Sequence, residues 1–115
     1  MPTFNDAVSI LASLDSVRSQ TFLSYELIIM DDGSTDNTKK IVEDYIEKNK
    51  LSSSWHYYHQ ENSDQLNAII NASRHAHGDY FFILHSDDLL PTKNFLIEAT
   101  NFIEKNQDYE AYMGD

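Results

Sequence analysis

Two pairs of adjacent aspartates are the residues of this sequence that could most readily do chemistry. Asp31 and Asp32 follow one apolar run. Asp87 and Asp88 follow another. Neighbouring carboxylates repel each other, so folding alone gives no reason to place them side by side. Such pairs make sense beside a hard divalent cation such as Mg²⁺ or Mn²⁺, or beside a ligand that donates hydrogen bonds. The plainer alternative is that these aspartates cap helices and stay solvated in loops.

The sequence around these pairs alternates between helix and strand patterns. Apolar residues at helical spacing predict helices, and short apolar runs predict strands. The predicted helices are residues 7–19, 36–48, 64–77 and 93–105, and the predicted strands are residues 25–30, 55–59, 80–84 and 109–113. The run at 80–84 is the most apolar and is expected to be central. The alternation predicts an α/β fold with a Rossmann-like, mostly parallel sheet flanked by helices. Because ligands bind outside the carboxyl ends of such strands, both aspartate pairs should reach one edge.

Polar residues and one glycine mark where the helices are expected to begin and end. Asn5 or Asp6 can cap the first helix, because their side chains accept hydrogen bonds from free backbone N–H groups. Ser63 or Asp64 can cap the third helix in the same way. Gly78 is placed to end that third helix, since glycine is common just beyond a helix C-terminus.

Composition excludes several classes of function. Eight Lys and Arg stand against nineteen Asp and Glu, which gives a net charge of −11. That charge would repel nucleic acid, so no nucleic-acid partner is expected. The chain has no cysteine, which rules out disulfides, thiolate zinc sites and cysteine nucleophiles. Its apolar runs fall far short of the ~20 residues of a membrane-spanning helix, and Asn5 and Asp6 interrupt the place of a signal peptide.

Several motifs together carry a family likeness. In chain order they are PTFN at 2–5, SVRSQTF at 16–22, YELIIMDDGSTDNT at 25–38, GDYFFILHSDD at 78–88, and then Leu90-Pro91. Their order and spacing resemble the N-terminal, nucleotide-sugar-binding half of family 2 inverting glycosyltransferases, which have the GT-A fold. The resemblance covers almost the whole chain. It therefore implies one partial GT-A domain over residues 1–115.

The resemblance implies an activity and its requirements. A sugar would pass from a nucleotide-diphosphate donor, a UDP-sugar, to an acceptor hydroxyl with inversion. The acceptor would be a carbohydrate or a lipid-linked molecule, in polysaccharide or glycan synthesis. Mg²⁺ or Mn²⁺ is implied as the cofactor. The expected location is cytoplasmic, or peripheral at the inner face of the membrane.

The resemblance also assigns roles to individual positions. Phe4 would pack on the nucleobase, usually uracil in relatives, and Asp32 would accept a hydrogen bond from it. Asp31 would instead hold the loop that follows the strand at residues 25–30, and Asn71 would help to position that loop. Asp88 would bridge the cation to the diphosphate. The full implied set is nucleotide-binding residues Pro2, Thr3, Phe4, Asn5, Asp32, Asp64 and Asp87, and metal ligands Asp88 and Asp87.

Three positions depart from the family pattern. His85 stands where many relatives have Asp. It could ligate Mn²⁺, pack against its neighbours, or support the ligands from outside. Gln65 and Ala72 stand where relatives often carry Gly, which is used for left-handed backbone or close approach. The loop before the third helix, and with it the choice of donor, could therefore differ.

Parts of such a domain are expected to lie outside these 115 residues. The turn motif at residues 2–5 lacks the strand that leads into it in relatives. The acceptor-binding half, with the general base, would follow the C-terminal end, so no catalytic residue is assigned. Two other functions stay open. One is a non-catalytic nucleotide-sugar-binding fragment or inactive remnant, and the other is a phospho-acceptor signalling domain of the receiver type, which also has acidic pairs at strand ends.

Overall fold

The computed structural model describes residues 1–107. In chain order its elements are β1 (Pro2–Thr3), α1 (Ile10–Arg18), β2 (Leu27–Asp31), α2 (Thr38–Lys48), β3 (Trp55–His59), α3 (Gln65–Ser73) and α4 (Phe95–Lys105). The strand predicted at residues 109–113 lies outside the described residues. Within residues 1–107, every helix is too short or too polar to cross a membrane.

The three strands form one parallel sheet in the order β1-β2-β3. The register pairs Pro2 with Met30 on one side of β2, and Leu27 with Trp55 on the other. All five residues of β2 are buried, as expected for a central strand of a parallel sheet. The predicted α/β fold with a parallel sheet and flanking helices is therefore confirmed. The opening turn motif is corrected in one respect, since its first two residues form β1.

Apolar stripes on α1 and α2 build the core. Burial of each such side chain contributes about 1.5–3 kcal/mol relative to leaving it in water. The ring of Tyr45 on α2 stacks on Trp55 of β3, with ring centroids 5.7 Å apart. These contacts hold the two helices against the sheet. The buried cluster includes Ile10, Leu14 and Val17 of α1, Val42 and Ile46 of α2, Ile29 of β2 and Trp55 of β3.

The apolar run at residues 80–84 is not a strand, so the prediction of a central strand there is wrong. Tyr80 to Ile83 are between 42% and 67% exposed, and only Leu84 is buried. The short edge of the sheet explains the difference. β1 has two residues, and Pro2 has no N–H to donate, so a five-residue strand would find few backbone partners there.

The helix starts use partly different groups from those predicted. Asp64 caps α3 as predicted, since its Oδ1 accepts a hydrogen bond from the Asn67 N–H at 2.7 Å. At α1, however, neither the Asn5 nor the Asp6 side chain caps the helix. The backbone carbonyl of Asp6 accepts from the Ile10 N–H at 2.9 Å instead. Both side chains are thereby free to tie the loops of the site.

The end of α3 also differs from prediction. The helix ends at Ser73, several residues before Gly78. Gly78 lacks the left-handed φ of a glycine that terminates a helix, so the prediction that it ends α3 is wrong. Ala68 is the buried residue of this helix, whereas Leu66 is 65% exposed. α3 therefore meets the sheet through a small side chain, close to the carboxyl edge.

Candidate functional site

The carboxyl ends of β1 and β2 open into a small cavity. Its volume is about 250 Å³, and one aspartate of each pair, Asp32 and Asp87, lines it. The walls come from the end of β1, the loop after β2, the start of α3 and the turn after residue 84. Both aspartate pairs thus reach one edge, as predicted, although no strand precedes the second pair in the described residues. The full lining is Pro2, Thr3, Phe4, Asp6, Asp32, Gln65, Ala68, His85, Ser86 and Asp87.

Asp31 is fully buried and holds the loop that follows β2. Its Oδ1 accepts a hydrogen bond from the Ser34 N–H at 2.8 Å, and its Oδ2 accepts one from the Tyr57 hydroxyl. Burial, together with this bond to Asp31, raises the pKa of Tyr57 well above its usual value. Both carboxylate oxygens are therefore occupied, which agrees with the structural role expected for Asp31.

Asp32 is only 6% exposed, and it lines the cavity. Its Oδ1 accepts hydrogen bonds from Gln60 Nε2 at 2.8 Å and from the Ser63 N–H at 2.9 Å. Asn71 of α3 holds Gln60 in turn, since Asn71 Nδ2 donates to Gln60 Oε1 at 2.7 Å. Asn71 thus positions this loop, as the sequence suggested. Among the described residues no group donates to Oδ2, which leaves this oxygen to a ligand.

The turn after Asp32 requires a glycine. Gly33 has a φ of +83°, which residues with a side chain rarely adopt. A Cβ at this position would lie 2.7 Å from the backbone N of Asn62. Asn62 also donates through Nδ2 to the carbonyl of Asp32 at 2.9 Å. Gly33 therefore lets the loop after β2 close against the segment that binds Asp32.

The residues after β1 have separate roles. Phe4 lines the cavity and is 48% exposed, so part of its ring is available to a ligand. Thr3 also lines the cavity, and its hydroxyl is the one buried side-chain polar atom of residues 1–107 that has no hydrogen-bond partner. Asn5 lies outside the lining, with a left-handed φ of 51°. Its Oδ1 accepts a hydrogen bond from the Thr35 N–H at 2.8 Å and so ties two loops together.

Hydrogen bonds fix the backbone of the turn that carries the second aspartate pair. The Asp88 N–H donates to the His85 carbonyl at 3.0 Å and closes the turn. The buried Ser86 hydroxyl donates to Asp6 Oδ2 and anchors the turn to the segment after β1. Asp87 and Asp88 themselves are exposed. The backbone of the turn is therefore fixed, whereas its two carboxylates remain accessible.

The cavity gathers five of the eight residues to which the resemblance gave binding roles. Pro2, Thr3, Phe4, Asp32 and Asp87 line it. Asn5, Asp64 and Asp88 lie outside the lining, and Asp64 is exposed and caps α3. These assignments as binding residues stay predictions.

Sequence reasoning gave no ligand role to Asp6, Gln65 or Ser86, although all three line the cavity. The contact between Asp6 and Ser86 joins residues 80 positions apart, and no local pattern connects them. Gln65 carried one signal, its departure from the glycine common in relatives. Its Nε2 lies within hydrogen-bond distance of His85 Nδ1, so two departures from the family pattern contact each other.

A wider groove of about 530 Å³ lies between α2 and β3. It is lined by residues such as Glu47, Lys50 and His56, and by none of the residues that the sequence predicts for a site. Its lining runs along β3 from Trp55 to Tyr58 and includes neither aspartate pair. The smaller cavity is therefore the better candidate for chemistry.

The second aspartate pair suits a divalent cation that has further oxygen ligands from a substrate. Within residues 1–107, no group of three or more His, Cys, Asp or Glu side chains is placed to hold a metal ion. Asp87 nevertheless lines the cavity, and the neighbouring Asp88 offers a second exposed carboxylate just outside the lining. Mg²⁺ is commonly held by one or two carboxylates together with substrate phosphates. The donor set therefore fits a cation that is bound jointly with a diphosphate.

A family comparison agrees with the motifs. The model described as Glycosyl transferase family 2 matches residues 1–113. An uncharacterized glycosyltransferase of Mycoplasma pneumoniae, the MG060 homolog, is 33% identical over 117 residues. The match covers 98% of this chain and 38% of that protein, so the chain spans less than half of its relative.

Solved structures agree as well. S. aureus TarS 1-349 in complex with UDP has a TM-score of 0.82 and 31% identity, over 92% of this chain and 31% of that one. The mannosyltransferase PcManGT from Pyrobaculum calidifontis, in complex with GDP-Man and Mn²⁺, has a TM-score of 0.83 and 28% identity, over 89% of this chain and 30% of that one. These likenesses confirm the GT-A, Rossmann-like fold. With a family model matched along nearly its whole length, the chain belongs to glycosyl transferase family 2.

Proposed function

We propose that this chain binds the nucleotide-diphosphate sugar of a glycosyltransferase that transfers the sugar to an acceptor hydroxyl with inversion. The observation that carries the proposal is the cavity where Phe4, Asp32 and Asp87 meet. The proposed donor is a UDP-sugar, in keeping with the UDP complex of TarS. The acceptor would be a carbohydrate or a lipid-linked molecule in polysaccharide or glycan synthesis, at the cytoplasmic side of the membrane.

The base would bind between β1 and the loop after β2. Phe4 offers an accessible aromatic ring, and stacking of a base on such a ring is worth about 1–3 kcal/mol. Asp32 Oδ2 accepts no hydrogen bond from the described residues, so it can accept one from a ring N–H of uracil. Gln60 and Ser63 hold this carboxylate in place through Oδ1, so its orientation exists before the ligand arrives.

The diphosphate would lie toward the second aspartate pair. Asp87 and Asp88 would hold Mg²⁺ or Mn²⁺ there, since they offer the hard oxygen ligands these ions prefer. When bound, such a cation neutralises the diphosphate and assists its departure as a Lewis acid. Among residues 1–107 no Lys or Arg lines the cavity, and the chain carries a net charge of −11, so a counter-charge for the donor is needed.

The acceptor side of the reaction needs a general base within hydrogen-bond reach of the acceptor hydroxyl. We assign this role to none of the cavity residues. The Mycoplasma relative is much longer than this chain, which spans 38% of it. We propose that the acceptor-binding half, the base and any earlier residues of the strand that includes β1 belong to the part of such proteins that lies outside these 115 residues.

Calorimetric titration of the chain with UDP and GDP, with and without Mn²⁺, tests the proposal. We expect UDP to bind, to bind more tightly with Mn²⁺, and to bind more tightly than GDP. Phe4→Ala should weaken UDP binding about tenfold through lost stacking. Phe81→Ala removes an exposed phenyl ring outside the cavity and should leave binding unchanged. Failure of both nucleotides to bind would overturn the proposal, and a preference for GDP would overturn the choice of donor.

A further inference from the structure

The walls of the cavity meet where Gln65 contacts His85. Gln65 is the first residue of α3, and His85 opens the turn that carries the second aspartate pair. The contact joins Gln65 Nε2 to His85 Nδ1. An amide nitrogen only donates, so in this orientation of the Gln65 amide Nδ1 is the acceptor and the ring proton lies on Nε2. We call this contact the Gln65–His85 bridge.

Both ends of the bridge are attached to fixed backbone. Asp64 caps α3 directly before Gln65. The His85 carbonyl accepts a hydrogen bond from Ser13 Oγ of α1 at 3.3 Å and another from the Asp88 N–H at 3.0 Å. The two side chains are also partly accessible from the cavity that they line. The bridge is therefore preorganised and open to a ligand.

The bridge supplies the side-chain N–H groups of this cavity. Three of the lining residues are carboxylates, namely Asp6, Asp32 and Asp87, and the lining contains no Lys or Arg. The hydroxyl of Ser86 already donates to Asp6. Of the described residues that form this lining, Gln65 and His85 alone carry side-chain N–H groups. Once the bridge has formed, one amide N–H and the ring Nε2–H remain to donate.

We propose that the Gln65–His85 bridge binds the diphosphate oxygens of the donor through these two N–H groups. The inference rests on the proposed function, which supplies the diphosphate. An anion that enters a cavity with three carboxylates needs hydrogen-bond donors, and N–H bonds to an ionised oxygen are the stronger kind. The two departures from the family pattern thus act as one diphosphate-binding unit.

Paired titrations with UDP and uridine test the inference, because uridine lacks the diphosphate. His85→Asn keeps an acceptor for Gln65 and removes the Nε2–H donor, so UDP affinity should fall about tenfold. Gln65→Glu is isosteric and adds a negative charge, so UDP affinity should fall about 30-fold. Neither variant should change uridine affinity by more than about twofold. Circular dichroism checks that each variant is folded.

Matched controls are available on other surfaces. His56 lines the groove between α2 and β3, and Gln107 is exposed after α4. His56→Ala and Gln107→Ala should leave both affinities unchanged. Nitrogen NMR of the imidazole provides a second readout, in which wild-type His85 should carry its proton on Nε2.

Three outcomes would count against the inference. Equal losses for UDP and uridine would mean that the bridge shapes the cavity without binding the diphosphate. Unchanged UDP affinity in both variants would mean that the bridge does not bind the diphosphate. Protonation of Nδ1 in wild-type His85 would contradict the inference as well. If the wild-type chain binds neither UDP nor uridine, the proposed function itself fails, which is a distinguishable result.

Discussion

The two aspartate pairs are alike in sequence and different in structure. Asp31 is fully buried with both oxygens occupied, and Asp32 is 6% exposed with one oxygen occupied. Asp87 and Asp88 are exposed, and their carboxylates accept none of the hydrogen bonds found among residues 1–107. The first pair is therefore built into the fold except for one oxygen of Asp32, whereas both carboxylates of the second pair are available to a ligand.

The neighbouring elements cause this difference. The first pair ends the central strand, so β3 and the loop after it supply Tyr57 and Gln60 as donors. The second pair follows a run that pairs with no strand in the described part of the chain, and its turn is anchored through Ser86 and the backbone. An acidic pair in sequence thus takes its role from the donors that the adjacent element places beside it.

The largest expected effect concerns the stability that each pair provides. Asp31→Ala leaves the Tyr57 hydroxyl and the Ser34 N–H without their acceptor, so the free energy of unfolding should fall by about 3 kcal/mol. Asp87→Ala removes an exposed carboxylate and should change it by less than about 0.5 kcal/mol. Urea denaturation measures both. Equal losses in the free energy of unfolding for the two variants would contradict the structural difference between the pairs.

Within the first pair, Asp32 should matter for binding more than for stability. Asp32→Ala removes the oxygen left for the base, so UDP affinity should fall about 30-fold, or about 2 kcal/mol. The free energy of unfolding should fall by about 1 kcal/mol through the lost bonds to Gln60 and Ser63. Asp79→Ala is a matched control at an exposed aspartate outside the cavity. Unchanged UDP affinity in Asp32→Ala would contradict the assignment.

The second pair should control the response to metal. Asp88→Ala should abolish the gain in UDP affinity on adding Mn²⁺, a loss of about tenfold or 1.4 kcal/mol, with no change in thermal stability. Calorimetry with and without Mn²⁺ measures this gain. Asp79→Ala should retain it. If Mn²⁺ still increases UDP affinity in both Asp87→Ala and Asp88→Ala, the cation does not bind at this turn.

A smaller effect is expected at high pH from the partner of Asp31. Because the pKa of Tyr57 is raised in the folded state, the unfolded chain loses this proton first as the pH rises above about 10. Stability should therefore fall above pH 10, by about 1 kcal/mol per unit at this partly exposed group. Tyr57→Phe should flatten the fall in urea denaturation at pH 9 to 11. Tyr45, whose pKa is raised to about 12 by burial and by Asp15, remains as a weaker source of the same slope. An equal slope in Tyr57→Phe would contradict the role of the Asp31 bond.

Local pattern predicted much of the fold. The aromatic run at residues 55–59 is the strand β3 with the predicted bounds, and Asp64 is the predicted cap of α3. The run at 80–84 has an equally strong apolar pattern, yet it is exposed and unpaired. A strand needs a backbone partner as well as apolar residues, and β1 offers only two residues. The apolar pattern of a segment does not show whether such a backbone partner exists.

The sequence by itself predicted most of the types of element, with residues 80–84 as the exception, and it predicted the edge at which the acidic residues meet. Periodicity decides whether a segment is helix or strand, and parallel strands send their carboxyl ends to one side. Only the tertiary structure decided which carboxylates are free and which side chains close the cavity. Those outcomes depend on donors 20 to 80 positions away, as in the contacts of Gln65 with His85 and of Asp6 with Ser86. Such contacts arise from how the elements pack, and no local spacing encodes them.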